Sequence, residues 1–177
     1  MRHAQTKAYI EFAQARTRSL YRSAWLLTGG DTHLSEDLVQ ETLSRMYVVW
    51  GRGSDKLGNP AAYAQTVLVR TFLMHRRRRS TATERLTAEP PEYGQQQPRA
   101  GGGTGDVALR VTLLHALGRL APKDRAVLVL RYWEDRSVEE TAQALNSTSG
   151  AIRTRTARAL HRLRAELGEQ AADLVPR

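Results

Sequence analysis

The 177 residues include no cysteine, which excludes disulfides, thiolate metal sites and cysteine nucleophiles together. It also excludes an oxidation switch built on a thiol, and it fits a reducing cytoplasm. Lysine is almost missing: among 27 basic side chains only Lys7, Lys56 and Lys123 are lysine, and the rest are arginine. That skew suits guanidinium forks on phosphate and equally suits a GC-rich genome. No stretch approaches the ~18 apolar residues needed to cross a bilayer. The start, "MRHAQTKAYIEFAQARTRSLYR", lacks the uninterrupted apolar centre of a signal peptide. A soluble, cytoplasmic protein with no membrane partner is expected. His3, His33, His75, His115 and His161 show no metal-ligand spacing, and "GGGTGD" lacks the Lys-Ser/Thr of a phosphate loop. No nucleophile with a base and an orienting group can be nominated. Neither a cofactor nor enzymatic activity is expected.

Arginine is what the chain has in excess. Against 18 acidic side chains the basic residues leave a formal charge of +9, so a polyanionic partner is the first expectation. The charge is unevenly distributed. Residues 1–80 carry +7 and residues 107–177 carry +4, whereas "TATERLTAEPPEYGQQQPRAGGGTGD" (81–106) carries −2. That middle stretch has three prolines, five glycines and almost no aliphatic side chains. It reads as a flexible acidic linker, because it cannot bury enough apolar surface to order itself.

Neither flank shows the alternation of a strand, so the chain should be all-α, two small helical domains on a tether. In the first, Tyr9, Phe12, Ala13, Leu20, Ala24 and Leu27 make an apolar stripe that Gly29-Gly30 terminates. A second helix should start near Asp31, with Leu34, Leu38, Val39, Leu43, Met46, Tyr47 and Trp50 inward and Asp37, Gln40, Glu41 and Arg45 toward solvent. After "GRGSDKLG", Asn59 is a good N-cap and Pro60 a good first helical residue. That third helix ends in "HRRRR" (75–79), more cation than the macrodipole and the last carbonyls need.

The second flank holds four helical signals, "VALRVTLLHALGRL", "PKDRAVLVLRYWE", "SVEETAQAL" and "SGAIRTRTARALHRLR". Ser137 and Glu140 form an S-x-x-E capping box, and Thr148 can cap the last helix after the short break at "NST". A short capped helix, a tight turn and a strongly basic helix make a helix-turn-helix. Taken alone, the last helix could be a solvated surface, a membrane-facing stripe or a reader of nucleic acid. With Ile152, Thr156, Ala159, Leu160 and Leu163 inward, Arg153, Arg155, Arg158 and Arg162 project elsewhere. The N-terminal residues of a helix lying in a major groove reach base edges. Arg153 and Thr154 are therefore the candidate readers, and Arg155 and Arg158 the candidate phosphate clamps.

"EDLVQETLSRMYVVW", the helix ending in "RRRR", and "LAPKDRAVLVLRYWEDRSVEETAQALNSTSGAIRTRTARALHRLR" together resemble the extracytoplasmic-function sigma factors of the sigma-70 family. The resemblance implies a region-two domain (1–80), the linker (81–106) and a region-four helix-turn-helix domain (107–170). Core RNA polymerase, through its beta-prime clamp helices and beta flap, and promoter DNA would be the partners, and an anti-sigma factor is plausible. Asp37, Gln40, Glu41 and Arg45 would fall on the polymerase interface. Arg52, Lys56, Asn59, Tyr63, Arg70, Arg76, Arg77, Arg78 and Arg79 would fall on the minus-ten element. Thr148, Ser149, Arg153, Thr154, Arg155 and Arg158 would fall on the minus-thirty-five element. The chain departs from the family pattern in Arg70 (often Asn), in "LMH" where a Trp is often found, in Asn146 (usually Gly) and in Ser147 (usually apolar).

An autonomous helix-turn-helix regulator would instead bind a specific duplex tightly without polymerase, and a nuclease would need a carboxylate or metal cluster. The phasing of the last helix predicts different losses for two neighbours. Arg153→Ala should relax sequence preference, since a bidentate base contact is worth about 1–3 kcal/mol of discrimination. Arg155→Ala should weaken binding similarly on every sequence. Binding curves on a set of single-base promoter variants check this, and the reverse pattern overturns the phasing.

Overall fold

The computed structural model describes residues 3–53, 57–85 and 104–168. All elements among them are helical: α1 (His3–Thr28), α2 (Thr32–Gly51), α3 (Pro60–Arg85), α4 (Thr104–Arg119), α5 (Pro122–Leu128), a π-helical turn (Val129–Trp133), α6 (Val138–Ala144) and α7 (Ser149–Leu167).

The boundaries follow from local chemistry. At the end of α1, Gly29 and Gly30 take φ of +72° and +95°, backbone that glycine adopts without a Cβ penalty. The Gly30 N–H closes on Trp25 O at 2.9 Å. Asp31 then caps α2, its Oδ1 accepting from the Leu34 N–H at 3.0 Å. Asn59 caps α3 in the same way, accepting from the Ala62 N–H at 3.0 Å, with Pro60 at the first helical position. Helices α1 to α3 bury Leu20, Leu27, Leu38, Met46, Leu68 and Phe72 almost completely. Tyr9 sits among Phe12, Tyr47 and Trp50 and donates its hydroxyl to Leu43 O at 2.6 Å. Burial raises its pKa, which keeps it a proton-bearing donor.

The expected inward stripe of α2 is right except at Tyr47, which is exposed while its ring edge meets Tyr9 at 5.2 Å. Met46 occupies the core position one residue earlier, and a helix turns about 100° per residue. Two other boundaries also differ from the sequence reading. Helix α3 continues to Arg85 and α4 begins at Thr104, so both ends of the expected linker are helical. The rest of it, 86–103, lies outside the described residues, as does Lys56. "PKDRAVLVLRYWE" is not one regular helix: after Leu128 the Glu134 N–H reaches back five residues to Val129 O at 3.0 Å. Asp135 then takes a φ of 50°.

The helix-turn-helix forms as expected. Ser137 and Glu140 make both hydrogen bonds of the capping box, at 2.8 and 3.0 Å, and Thr148 Oγ1 accepts from the Ala151 N–H at 3.2 Å. Asn146 adopts the left-handed conformation with φ of 53°, which Asn tolerates better than most residues. Ser147 is exposed, and its N–H closes the turn on Ala142 O at 2.9 Å. Val127, Ala142 and Ile152 pack as a small core between α5, α6 and α7. Leu117, Leu120, Leu128, Ala159 and Leu163 pack α4 and α5 on α7.

The two halves are not separate bodies. Ala126, Val129, Leu130 and Ala144 belong to the same apolar cluster as Leu27, Leu68 and Phe72. Where α1 meets α4, a Cβ on Gly29 would lie 2.9 Å from Gly118 Cα, closer than real side chains approach.

Glu140 supplies a pH test of the capping box. Its pKa is lowered, chiefly by the hydrogen bond from the Ser137 backbone N–H, so its stabilisation is present above the unfolded value and is lost as pH falls through the folded one. Glu140→Gln keeps an acceptor but no charge. The melting-temperature gap between the two proteins should be open at pH 7 and should shrink on acidification below about pH 4.5. A gap that stays constant to pH 3 would contradict this role for the carboxylate.

Candidate nucleic-acid interface

Three exposed faces carry the residues expected to act. On α2, Asp37, Gln40, Glu41 and Arg45 lie on one outward side, as i, i+3/i+4 spacing requires. Arg45 Nη2 pairs with Glu41 Oε1 at 2.6 Å on this open surface, where such pairs contribute little. The face is therefore a mixed polar strip, with Tyr47 and Val48 exposed at its end.

The second face is α3 and the turn leading to it. Arg52 is exposed at the end of α2, and Asn59 and Tyr63 are exposed at the start of α3. Arg77, Arg78 and Arg79 are exposed on the last turns, while Arg76 is half-buried. Arg70, between the two groups, is exposed as well, but its guanidinium is engaged. Its Nε donates to Ala144 O at 2.8 Å and its Nη2 to Gln143 O at 3.0 Å, the last carbonyls of α6.

The third face is α7. Ile152, Ala159 and Leu163 are buried as expected, and Arg153, Thr154 and Arg158 are exposed. Thr148 is exposed and Ser149 half-buried at the capped end, where unpaired N–H groups favour a phosphate. Arg153 Nη2 lies 3.4 Å from Glu139 Oε1, with both side chains mostly in solvent, so a base edge can displace that contact easily. Arg155 is held more firmly: its Nη1 donates to Asp124 Oδ1 at 2.8 Å. The side chain is still 40% exposed, and a guanidinium has further donors for a phosphate.

Sequence reasoning missed Asp124. This carboxylate at the first turn of α5 is 4% exposed and accepts from Arg155 at 2.8 Å and Arg162 at 2.9 Å. A seven-residue spacing puts those two arginines on one side of α7, two turns apart, which was the available signal for a shared acid. Arg125 and Arg136 were missed as well. Arg125, 2% exposed, donates to Leu27 O at 2.5 Å, Gly118 O at 2.7 Å and Leu120 O at 3.0 Å. Arg136 donates to Ala62 O and to Thr66 Oγ1. No pattern along the chain marks either one. No group of three or more His, Asp or Glu able to hold a metal occurs among the described residues, and none of their helices is long and apolar enough to cross a membrane.

All the described elements are helical, they include a capped helix-turn-helix, and arginine lies on two outward faces, which is the form of a nucleic-acid-binding protein. The family model for Sigma-70 region 2 matches residues 12–81, and that for Sigma-70, region 4 matches residues 116–165. The chain is 37% identical over 174 residues to the RNA polymerase sigma-E factor of Streptomyces avermitilis, covering 98% of this chain and 92% of that one. It is also 37% identical over 163 residues to the sigma-E factor of Streptomyces coelicolor, covering 90% and 85%. The sigma factor RpoE of Bartonella quintana, solved in complex with the anti-sigma factor NepR, shares the fold with a TM-score of 0.67 at 23% identity, over 91% of this chain and 97% of that one. The chain belongs to the extracytoplasmic-function sigma factors of the sigma-70 family.

Asp124 gives this interface its structural test. Asp124→Ala removes the acid that aligns Arg155 and Arg162, and the loss should be about 1–3 kcal/mol, toward the lower end because both arginines can rehydrate. Chemical denaturation measures it. DNA binding should fall further than Arg155→Ala alone produces, because the whole of α7 loses its rotational anchor. Unchanged stability would show that α7 is positioned by its apolar face alone.

Proposed function

We propose that this chain gives core RNA polymerase its promoter choice as a non-enzymatic initiation factor, holding duplex DNA upstream and a melted strand downstream. The observation that supports it most is the pair of family matches, one on each half, each coinciding with an exposed arginine-bearing face. In this reading residues 1–80 form the region-two unit, 81–106 the tether and 107–170 the region-four unit. The α2 face of Asp37, Gln40, Glu41 and Arg45 docks on the beta-prime clamp helices, and the region-four unit meets the beta flap. Arg52, Lys56, Asn59, Tyr63, Arg70 and Arg76 to Arg79 handle the minus-ten element. Thr148, Ser149, Arg153, Thr154, Arg155 and Arg158 hold the minus-thirty-five duplex.

The stretch between α3 and α4, residues 86–103, spans roughly 60 Å at full stretch at about 3.3–3.6 Å per residue. Sites one duplex turn apart, at about 34 Å per turn, are then within reach of both units. The place of action is the cytoplasm, on the nucleoid once polymerase is bound. The Bartonella quintana protein is titled as bound to an anti-sigma factor, and an equivalent inhibitor is proposed for this chain.

Run-off transcription with purified core polymerase and genomic promoter fragments tests the reading. Promoter-specific transcripts should appear only with the protein present. A folded protein that yields none, yet footprints a specific duplex alone, would be an autonomous regulator instead. Glu41→Ala, on the proposed clamp face, should reduce transcription several-fold and leave DNA binding by the isolated chain unchanged.

A further inference from the structure

We propose that Glu139, on the first turn of α6, is a positioning residue for sequence choice: it steers Arg153 toward base edges and away from the nearest phosphates. The inference rests on the promoter reading above, in which the start of α7 enters the major groove of the minus-thirty-five duplex.

The first turn of α6 carries two neighbouring glutamates in different states. Glu140 is consumed locally: its Oε2 accepts from the Ser137 N–H at 2.8 Å, and that bond lowers its pKa. Glu139 reaches out of its own helix. Its Oε1 lies 3.4 Å from Nη2 of Arg153, fourteen residues further on in α7, and this is its one ion pair among the described residues. The Arg153 and Glu139 side chains are 66% and 62% exposed, so the pair adds little to stability. Asp124 acts differently on the same helix. It is buried and holds Arg155 and Arg162 from inside the fold, which fixes the helix. Glu139 holds Arg153 from the solvent side, which biases a single side chain.

An acid is unfavourable on this surface for affinity alone. The chain has a formal charge of +9, and Arg153, Thr154 and Arg158 make the exposed face proposed to meet the duplex. Duplex DNA carries one negative charge per about 1.7 Å, so a carboxylate here subtracts from sequence-blind attraction. It also changes what Arg153 does. A guanidinium has five donors, and one amine drawn to Glu139 leaves an edge for O6 and N7 of guanine, the commonest specific contact. An exposed pair biases the fork without locking it, so a base edge can still draw it in. Without the acid, the same flexible side chain reaches a phosphate as readily as a base. In a helix-turn-helix the first helix crosses the backbone while the second lies in the groove. Helix α6 is therefore the element from which an acid can stand between phosphate and base. Weaker general affinity and a retained base contact both raise the ratio of specific to non-specific binding, the quantity that selects one site among many.

A first-turn acid also suits the helix dipole. That role alone predicts a change in stability with none in sequence choice, and positioning predicts the reverse.

The test uses core polymerase reconstituted with the full chain, on promoter fragments randomised in the minus-thirty-five element, with bound and unbound fragments sequenced. Binding of the full chain alone to a random-sequence duplex, across a salt series, measures the sequence-blind part. The wild-type chain should enrich one sequence. Glu139→Gln keeps the size and removes the charge. At the base pair that Arg153→Ala also relaxes, it should lower discrimination about three- to five-fold, the most an exposed pair supplies. It should tighten random-duplex binding by a similar factor, with a salt slope steeper by about 0.9 as Arg153 takes a phosphate. Glu139→Asp keeps the charge on a shorter arm, and should lose the same discrimination with a smaller gain on random duplex. In an Arg153→Ala background, Glu139→Gln should cost no further discrimination. Glu140→Gln should lower the melting temperature at pH 7 and leave the enriched sequence unchanged.

Unchanged discrimination in folded Glu139→Gln overturns the inference. So does an equal gain or loss on every sequence, which marks a surface charge and no more. Discrimination preserved by Glu139→Asp assigns the effect to charge alone and overturns positioning. A wild-type chain that enriches no sequence with polymerase sinks the promoter reading, and this inference with it; enrichment that Glu139→Gln leaves intact sinks only the inference.

Discussion

Two adjacent charges at the first turn of α5, Asp124 and Arg125, hold the second half in shape. Both are nearly inaccessible, and a buried charge is tolerated only when it is paired and hydrogen-bonded. Each meets that demand through a different neighbour. Asp124 accepts from Arg155 and Arg162 of α7, whereas Arg125 gathers the carbonyl ends of α1 and α4 and lies 5.8 Å from the Phe72 ring centre. One short helix thereby sets the rotation of α7 and the seating of the second half on the first.

The rotation of α7 decides which arginines face outward. With Arg155 and Arg162 turned toward Asp124, Arg153 and Arg158 face outward from the rest of the circumference. Arg155 has two roles, aligning the helix through one amine and offering the remaining donors outward. Arg70 has a comparable double position in the first half, an expected DNA contact that is engaged by backbone carbonyls. In both cases the guanidinium fork offers more donors than the contact within the protein uses.

Small residues and short turns add to the shared apolar cluster in seating the two halves. Gly29 and Gly118 let α1 and α4 approach to backbone contact, and the π turn with Asp135 carries Glu134 and Arg136 to α1 and α3. These features look like ordinary helix ends in the sequence. Their effect depends on which surface lies opposite.

Much of the fold was legible along the chain. The stops at Gly29 and Gly30, the caps Asp31, Asn59, Ser137 and Thr148, the capping box and the inward phase of α7 each rest on interactions within about four residues, which sequence spacing encodes directly. The faces of α2 and α7 were legible for the same reason. The exposure of Tyr47 and the break after Leu128 were not, because packing decided them against local propensity. The sequence by itself determined helical elements throughout the described residues and an arginine-rich helix-turn-helix. Only the tertiary structure decided that Asp124 sets the recognition helix, that Arg125 and Arg136 bind backbone of the first half, and that Arg70 is already occupied. Those partners lie 31 to 98 residues away, and a buried charge finds its partner through space, where no periodicity along the chain records it.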